Sequence, residues 1–136
     1  MRRSLLGVLA TLALVVFTSL PVLSAPVVEE LVVRRQGDRV NVRVVLRNPS
    51  SVRQPGPIVI ELFARRDASA AWEKVKTWKD IPYLQPGYKV ARDIFQDNSP
   101  VLQALSQGTF EVRAVVKAPG LKTDIEKTSQ YNTPDY

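Results

Sequence analysis

Apolar and polar residues alternate with a period of two along most of the chain after its first 25 residues. The clearest case is the second predicted strand, where Val40, Val42, Val44 and Leu46 share one parity. Successive side chains of a strand point to opposite faces of a sheet, so this alternation predicts a half-buried β-strand. The same reasoning predicts seven strands, at residues 27–35, 39–47, 58–64, 72–78, 88–95, 109–117 and 121–129.

One short helix interrupts this series of strands. Ser99 is a suitable N-cap, Pro100 suits the first helical position, and Gly108 suits the helix exit. Leu102 and Leu105 are three residues apart, so they would share the buried face of the helix. The helix therefore lies before the sixth strand.

Seven short strands at this spacing predict an all-β fold, built as an antiparallel sandwich of two sheets. A closed barrel is the alternative arrangement. Strands of a Greek-key sandwich usually alternate between the sheets, so the third and sixth strands are expected to be neighbours. The seventh strand is more polar than the others, which predicts that it lies at a sheet edge.

Residues 1–24 have the composition of a secretory signal segment. Two arginines follow the initial methionine, residues 5–17 are rich in leucine and valine and uncharged, and small residues follow around Ser24. This order predicts a signal peptide that is cleaved after Ser24. The alternative is a retained membrane anchor, because the uncharged run 5–23 is nearly long enough to span a bilayer. The domain would then lie outside, since the positive end stays in the cytoplasm.

Composition narrows the chemistry that the exported part can perform. Apolar content of 45% and charged content of 24% are ordinary for a globular protein, so residues 25–130 are expected to fold as one domain, followed by a polar tail at 131–136. The chain has neither cysteine nor histidine, which excludes disulfides and thiol chemistry and removes the commonest general base and transition-metal ligand. The acidic residues are scattered, and no nucleophile elbow or phosphate-binding glycine loop is present. No enzyme activity, metal or cofactor is therefore expected.

Four segments of the chain resemble a known group of modules. They read VNVRVVLRNPSS, PGPIVIELFARRD, W…LQPGY and LSQGTFEVRAVVKAPG. Together they are similar to bacterial immunoglobulin-like modules of the cell-adhesion-related (CARDB-type) and fibronectin type III-like kinds. The resemblance covers nearly the whole chain after the signal segment. It implies a seven-stranded immunoglobulin-like sandwich that binds, spaces or presents, without a shared catalytic site.

The fourth predicted strand carries both tryptophans. Trp72, Lys74, Lys76 and Trp78 share one parity, so a regular strand with Val75 inward would place two indoles and two ammonium groups on one outer face. Such a stripe could stack on sugar rings or bind an anionic polymer. The alternative, which buried tryptophans in sandwich folds favour, is that one tryptophan is a core residue and a bulge breaks the parity.

A second candidate surface is the outer face of the third and sixth strands. Val59, Phe63 and Val115 point outward there, among charged side chains. If the two strands are neighbours, these residues form the centre of one patch. An apolar centre with a charged rim is typical of a protein interface. Scattered exposed apolar residues are also normal on protein surfaces, which is the alternative interpretation.

These observations favour a non-catalytic exported module that acts by protein–protein contact, as an accessory or scaffold component of a cell-envelope assembly. The expected partner is another envelope protein. A carbohydrate-binding module that uses Trp72 and Trp78, with a polysaccharide partner, is the alternative. Nucleic acid is not expected, because the net charge of +6 falls to a mild +4 without Arg2 and Arg3 of the signal segment, and acids are interleaved among the other arginines. The expected location is periplasmic or extracellular, with membrane attachment only if the signal segment is not cleaved.

Overall fold

The computed structural model describes residues 25–131. The predicted signal segment, its cleavage after Ser24 and residues 132–136 of the predicted tail lie outside the described residues. The described chain forms β1 (Val27–Gln36), β2 (Arg39–Arg47), β3 (Gln54–Arg65), β4 (Glu73–Leu84), β5 (Lys89–Phe95), a 3-10 turn (Gln96–Asn98), α1 (Pro100–Leu105), β6 (Phe110–Lys117) and β7 (Ile125–Tyr131).

The strands form two antiparallel sheets that enclose one core. The first sheet has the order β1-β2-β5, and the second has the order β4-β3-β6-β7. The predicted fold class, an all-β seven-stranded antiparallel immunoglobulin-like sandwich with one short helix before the sixth strand, is confirmed. The third and sixth strands are neighbours, and the seventh lies at an edge, both as predicted.

The core consists of the inward positions that the alternation identified. The bulkiest side chains with essentially no exposed surface are Leu46, Ile58, Ile60, Leu62 and Leu102. Fully burying an aliphatic side chain of this size stabilises the fold by about 1.5–3 kcal/mol, so these positions dominate its stability. Leu102 and Leu105 of α1 reach the same core, which confirms the predicted buried face of the helix.

The third and fourth strands are longer than predicted. The segment that begins at Gln54, four residues before the predicted start of the third strand, is already part of β3, and Gln54 pairs with Leu84 at the end of β4. The pairing shifts between Pro55 and Ile58, which is how a bulge accommodates prolines within a strand. A Cβ atom on Gly56 would lie 1.9 Å from the carbonyl oxygen of Pro82, so only glycine fits at this close approach.

The seventh strand begins and ends later than predicted. It starts at Ile125, and it continues to Tyr131, which the sequence had assigned to the polar tail. The Tyr131 ring is buried against Phe110, with 5.2 Å between the ring centroids, and its hydroxyl accepts a 2.9 Å hydrogen bond from Arg35. Tyr131 therefore belongs to the domain, because its ring completes the core beside β6.

The helix has the predicted N-cap but a different C-terminal arrangement. The Ser99 hydroxyl accepts a hydrogen bond from the Leu102 amide at 3.2 Å, and Pro100 occupies the first position. At the other end, Arg66 donates to the carbonyl oxygens of Leu105 and Thr109 at 3.1 and 2.8 Å. A Cβ atom on Gly108 would lie 2.8 Å from the Arg66 guanidinium, so the glycine makes room for this arginine and is not needed for a left-handed turn.

Candidate protein interface

The outer face of the four-stranded sheet carries the predicted patch. Because Leu62 and Ala64 of β3 point into the core, Val59 and Phe63 point away from it, and both are half-buried. Val115 of β6 shares that outward parity, although its neighbours leave only 7% of it exposed. Phe63 and Val115 line one shallow depression of about 250 Å³ on this face, whereas Val59 lies further along β3 and does not line it.

Trp72 belongs to the same depression. The residue lies directly before β4 and is half-buried, and its indole lines the depression together with Phe63, Val115, Arg113 and Glu126. The Arg65 guanidinium lies 4.0 Å from the indole centroid and that of Arg113 lies 5.8 Å away. These distances are those of cation–π contacts, which hold the indole against the sheet. We call the site formed by these lining residues the aromatic depression.

Ion pairs border the aromatic depression. Arg65 donates to the Glu111 carboxylate within the outer face, and Arg113 donates to Glu126 on β7. The two arginines that contact the indole are thus each paired with an acid. Their charges are compensated, so the indole is held by cations that do not leave an unbalanced positive field around it.

An ion-pair bridge that joins three strands lies next to the aromatic depression. Glu61 of β3 accepts from Lys74 of β4 at 2.8 Å and from Lys117 of β6 at 2.9 Å. The hydrogen bond from Lys74, followed by that from Lys117, lowers the pKa of the Glu61 carboxyl, and the hydrogen bond to Glu61 raises the pKa of Lys117. Glu61 is therefore an anion at neutral pH and links the three strands that carry the patch.

The prediction of a single outer stripe around the fourth strand is wrong. Its four residues, Trp72, Lys74, Lys76 and Trp78, do not share one face. Trp78 points inward opposite Ile60 and is only 8% exposed, whereas Trp72 lies on the outer side.

The physical reason is that β4 is irregular. Lys76 pairs with Leu62 but Lys74 pairs with the next residue, Phe63, so one residue of β4 is bulged and the parity changes. A second shift separates Trp78 from Ile81. The alternative interpretation, a core tryptophan with a parity-breaking bulge, is confirmed. The two lysines are exposed, and the Lys74 ammonium lies 5.9 Å from the Phe63 ring centroid.

Asp93 and Asp97, which lie four residues apart at the end of β5 and just after it, are each paired with a cation. Asp97 contacts Arg39 at 2.7 Å, and Asp93 contacts Arg43 at 3.5 Å. Within residues 25–131, no three acidic side chains converge as a metal-ligand set. In the same range, no helix has the length and apolar character needed to cross a bilayer.

Parity along the single strands does not place Trp72 beside Phe63. Two signals pointed that way: Arg65 and Arg113 have outward parity on neighbouring strands, and arginine is the preferred cation over an indole. The position of Trp72 itself, outside any regular strand, could not be obtained from parity.

Comparison with known proteins gives distant structural likenesses. No protein-family model and no curated protein sequence matches the chain. β-glucosidase 3B from Thermotoga neapolitana matches with 14% identity and a TM-score of 0.44, over 80% of this chain but 17% of its own. The curli protein CsgC from E. coli matches with 12% identity and a TM-score of 0.44, over 76% of this chain and 97% of its own. The protein AT1g01470 from Arabidopsis thaliana matches with 13% identity and a TM-score of 0.41, over 87% and 88%. At these values the likeness carries no statement about function.

Proposed function

We propose that this chain is a non-catalytic, exported module of the cell envelope that acts by protein–protein contact through the outer face of its four-stranded sheet. The observation that carries the proposal is the aromatic depression: Phe63, Trp72 and Val115 surround one site on a face that points away from the core. The partner is another envelope protein, and the module serves as an accessory or scaffold component of its assembly.

The anatomy of this face supports contact with a protein. Interfaces are enriched in aromatic residues and arginine at the centre, with a polar rim that water can reach. Here Phe63 and Trp72 are the aromatic residues, and Arg113 lines the same depression. The rim consists of pairs already made within the module, such as Glu61 with Lys74 and Lys117. Prepaired rim charges lose little on binding, because their side chains are already ordered.

The β4 edge of the four-stranded sheet supports the same assignment, because it is poorly suited to adding a strand. The edge strand β4 carries Lys74, Lys76 and Lys79, and its pairing with β3 has three irregularities. Lysines and bulges are the devices by which natural sheets block edge pairing. The face, with its aromatic side chains, is the better contact surface.

A sugar-binding role through two indoles loses its basis once Trp78 is in the core. The remaining indole, Trp72, has one cation 4.0 Å from its ring centroid, so it does not offer a free flat platform. The family-level part of the proposal, a CARDB-type or fibronectin type III-like module, rests on the four sequence segments and is consistent with a binding or presenting role.

Site-specific photo-crosslinking in intact cells tests the contact proposal. A photoreactive phenylalanine analogue is placed at position 63 and, as the matched control, at Ala91, which is exposed on the outer face of the other sheet. We expect a discrete protein adduct from position 63 that is absent from position 91. The same adducts from both positions, or none from position 63, would contradict the assignment of this face.

The intact mass of protein purified from separate cell fractions tests the export proposal. A soluble envelope form that begins at Ala25 corresponds to cleavage after Ser24, and a full-length form in the membrane fraction corresponds to a retained anchor. A full-length soluble form confined to the cytoplasm contradicts export.

A further inference from the structure

All four large apolar side chains that are exposed within residues 25–131 lie at one end of the sandwich. They are Val27, Val52, Tyr83 and Tyr88, with 39%, 50%, 45% and 64% of their surface exposed. This end, which we call the N-terminal end, consists of the chain start at Ala25 and the connections 48–53, 85–88 and 118–124. The far end consists of the connections 37–38, 66–72 and 96–109 and carries none of the four.

The N-terminal end is held rigid by one buried asparagine. The Asn48 side-chain amide donates to the carbonyl oxygens of Val52 and Leu84, both at 2.9 Å. The Asn48 backbone amide donates to the carbonyl oxygen of Tyr88 at 3.0 Å, and the Asn48 backbone carbonyl accepts from the Gly87 amide at 2.7 Å. The loop with Val52 and the turn with Tyr88 are therefore fixed relative to each other, and their exposed side chains are presented together.

The loops of the two ends also differ in charge. The connections of the N-terminal end carry Arg53 and Lys122 against the single acid Asp124. The connections of the far end carry three acids, Asp38, Asp67 and Asp97, against the single cation Arg66. The Arg53 guanidinium lies 5.0 Å from the Tyr83 ring centroid, so a cation and an aromatic ring are paired on the N-terminal end. Tyrosine with arginine or lysine is the combination that proteins place at the level of lipid headgroups.

The chain enters the sandwich at this same end. Ala25 and Val52 line one small depression together with Leu121. The uncharged run 5–23 ends four residues before Val27, and four extended residues span at most about 14 Å. One headgroup layer is roughly 5–8 Å thick. While that run is in a bilayer, the N-terminal end therefore lies within about 14 Å of the hydrocarbon, in the headgroup layer or directly above it.

We propose that the N-terminal end of the sandwich rests on the lipid headgroups of the membrane that holds residues 5–23, with Tyr83, Tyr88 and Val52 as its contact residues. This inference rests on the export part of the proposed function, in the form that retains residues 5–23 as an anchor and is not cleaved after Ser24. It places the strands upright on the membrane, so the outer face of the four-stranded sheet points sideways. A protein on the same membrane surface would then meet the aromatic depression directly.

Fluorescence of the full chain in vesicles tests this placement. The chain has no cysteine, so single-cysteine variants accept one polarity-sensitive dye each. The dye is placed at the N-terminal end by Val52→Cys and, as a matched control, at the exposed far-end position by Ala68→Cys. In vesicles that contain anionic lipid, we expect a blue shift and quenching by headgroup-labelled lipid for the first variant only. An equal blue shift and equal quenching of the dye at both ends overturn the proposal.

A second variant separates contact from mere tethering. Tyr83→Ser with Tyr88→Ser, in the Val52→Cys background, removes two exposed rings without touching the core, and an unchanged melting temperature verifies the fold. We expect most of the blue shift to disappear. If this variant keeps the full blue shift, the chain segment before Val27 alone holds the dye near the lipid, and the proposed contact is overturned.

Flotation of the same vesicles separates this inference from the export proposal. A full-length chain that does not float with the vesicles contradicts the retained anchor and the headgroup contact, whereas export itself is tested by the intact mass of the protein in each cell fraction. A chain that floats but gives equal signals from the two ends contradicts only the headgroup contact.

Discussion

The two faces of the four-stranded sheet are built from the same strands but contain different chemistry. The inner face of β3 presents Ile58, Ile60 and Leu62, all fully buried, whereas its outer face presents Glu61 and Phe63. Inner positions gain stability from full burial, and the outer ones gain less, because part of their surface remains in contact with water. Folding therefore explains only part of the presence of an aromatic ring on the outer face, and we attribute the rest to contact with a partner.

The two tryptophans show the same contrast in one residue type. Trp78 packs in the core opposite Ile60, and Trp72 lies under two guanidinium groups on the outer side. They are only six positions apart in the sequence, yet one stabilises the fold and the other shapes a surface. Comparing their substitutions tests whether the inner and outer faces divide these tasks.

The largest effect is expected from Trp78→Ala. Removing a buried indole leaves a cavity in the core, which costs about 3–5 kcal/mol of unfolding free energy. Chemical denaturation monitored by circular dichroism measures this loss, and Trp78→Phe, which keeps a ring in the core, should lose less. A loss below about 1 kcal/mol would be a typical surface value and would contradict the inward position of Trp78.

A smaller effect is expected from Trp72→Ala. The variant loses two cation–π contacts at a half-exposed site, each worth about 0.5–1 kcal/mol, and leaves no internal cavity. The free energy of unfolding should therefore fall by roughly 1–2 kcal/mol, with the core intact. If Trp72→Ala destabilises the protein as much as Trp78→Ala does, the division between the two faces does not hold.

The ion-pair bridge should give a still smaller and pH-dependent effect. The pKa of Glu61 is lowered in the folded protein, so its contribution is present above the unfolded value of 4.5 and is lost as the pH falls through the folded pKa. We expect Glu61→Gln to cost at most about 1 kcal/mol at neutral pH, because both lysines are half-exposed. The difference from the wild type should shrink as the pH falls below 4.5. A difference that stays constant down to the acid transition would show that the charge of Glu61 contributes nothing.

Much of this contrast could be predicted from the alternation. β2, β6 and the inner half of β3 keep one parity from end to end, so their inward residues were identified correctly. The neighbouring positions of β3 and β6 followed from the usual path of a Greek-key sandwich. These features depend on local pattern and on topology, both of which a single sequence carries.

The errors lie where the pattern depends on a partner strand. The bulges of β4 are defined by its pairing with β3, so the side on which Trp78 lies could not be obtained from parity along one strand. The last strand has little alternation, and Tyr131 is placed by its contact with Phe110. Gly108 was predicted correctly as the residue at the helix exit, but for a different reason. The space that its missing side chain leaves is occupied by the guanidinium of Arg66, which lies 42 residues earlier in the chain.

The most direct test of the central claim is Phe63→Asp, for which the smallest change in stability is expected. The introduced carboxylate would face Lys74 and Arg113, so the free energy of unfolding should change by no more than about 0.5 kcal/mol. Ala91→Asp adds the same charge to the other outer face and is the matched control.

We expect the protein that crosslinks from position 63 to co-purify with the wild type and with Ala91→Asp, but not with Phe63→Asp. If Phe63→Asp fails to fold, the Phe63 ring of the wild type belongs to the core, and the outward position assigned to it is wrong. A folded one that still retains the partner would contradict the assignment of this face as the site of contact.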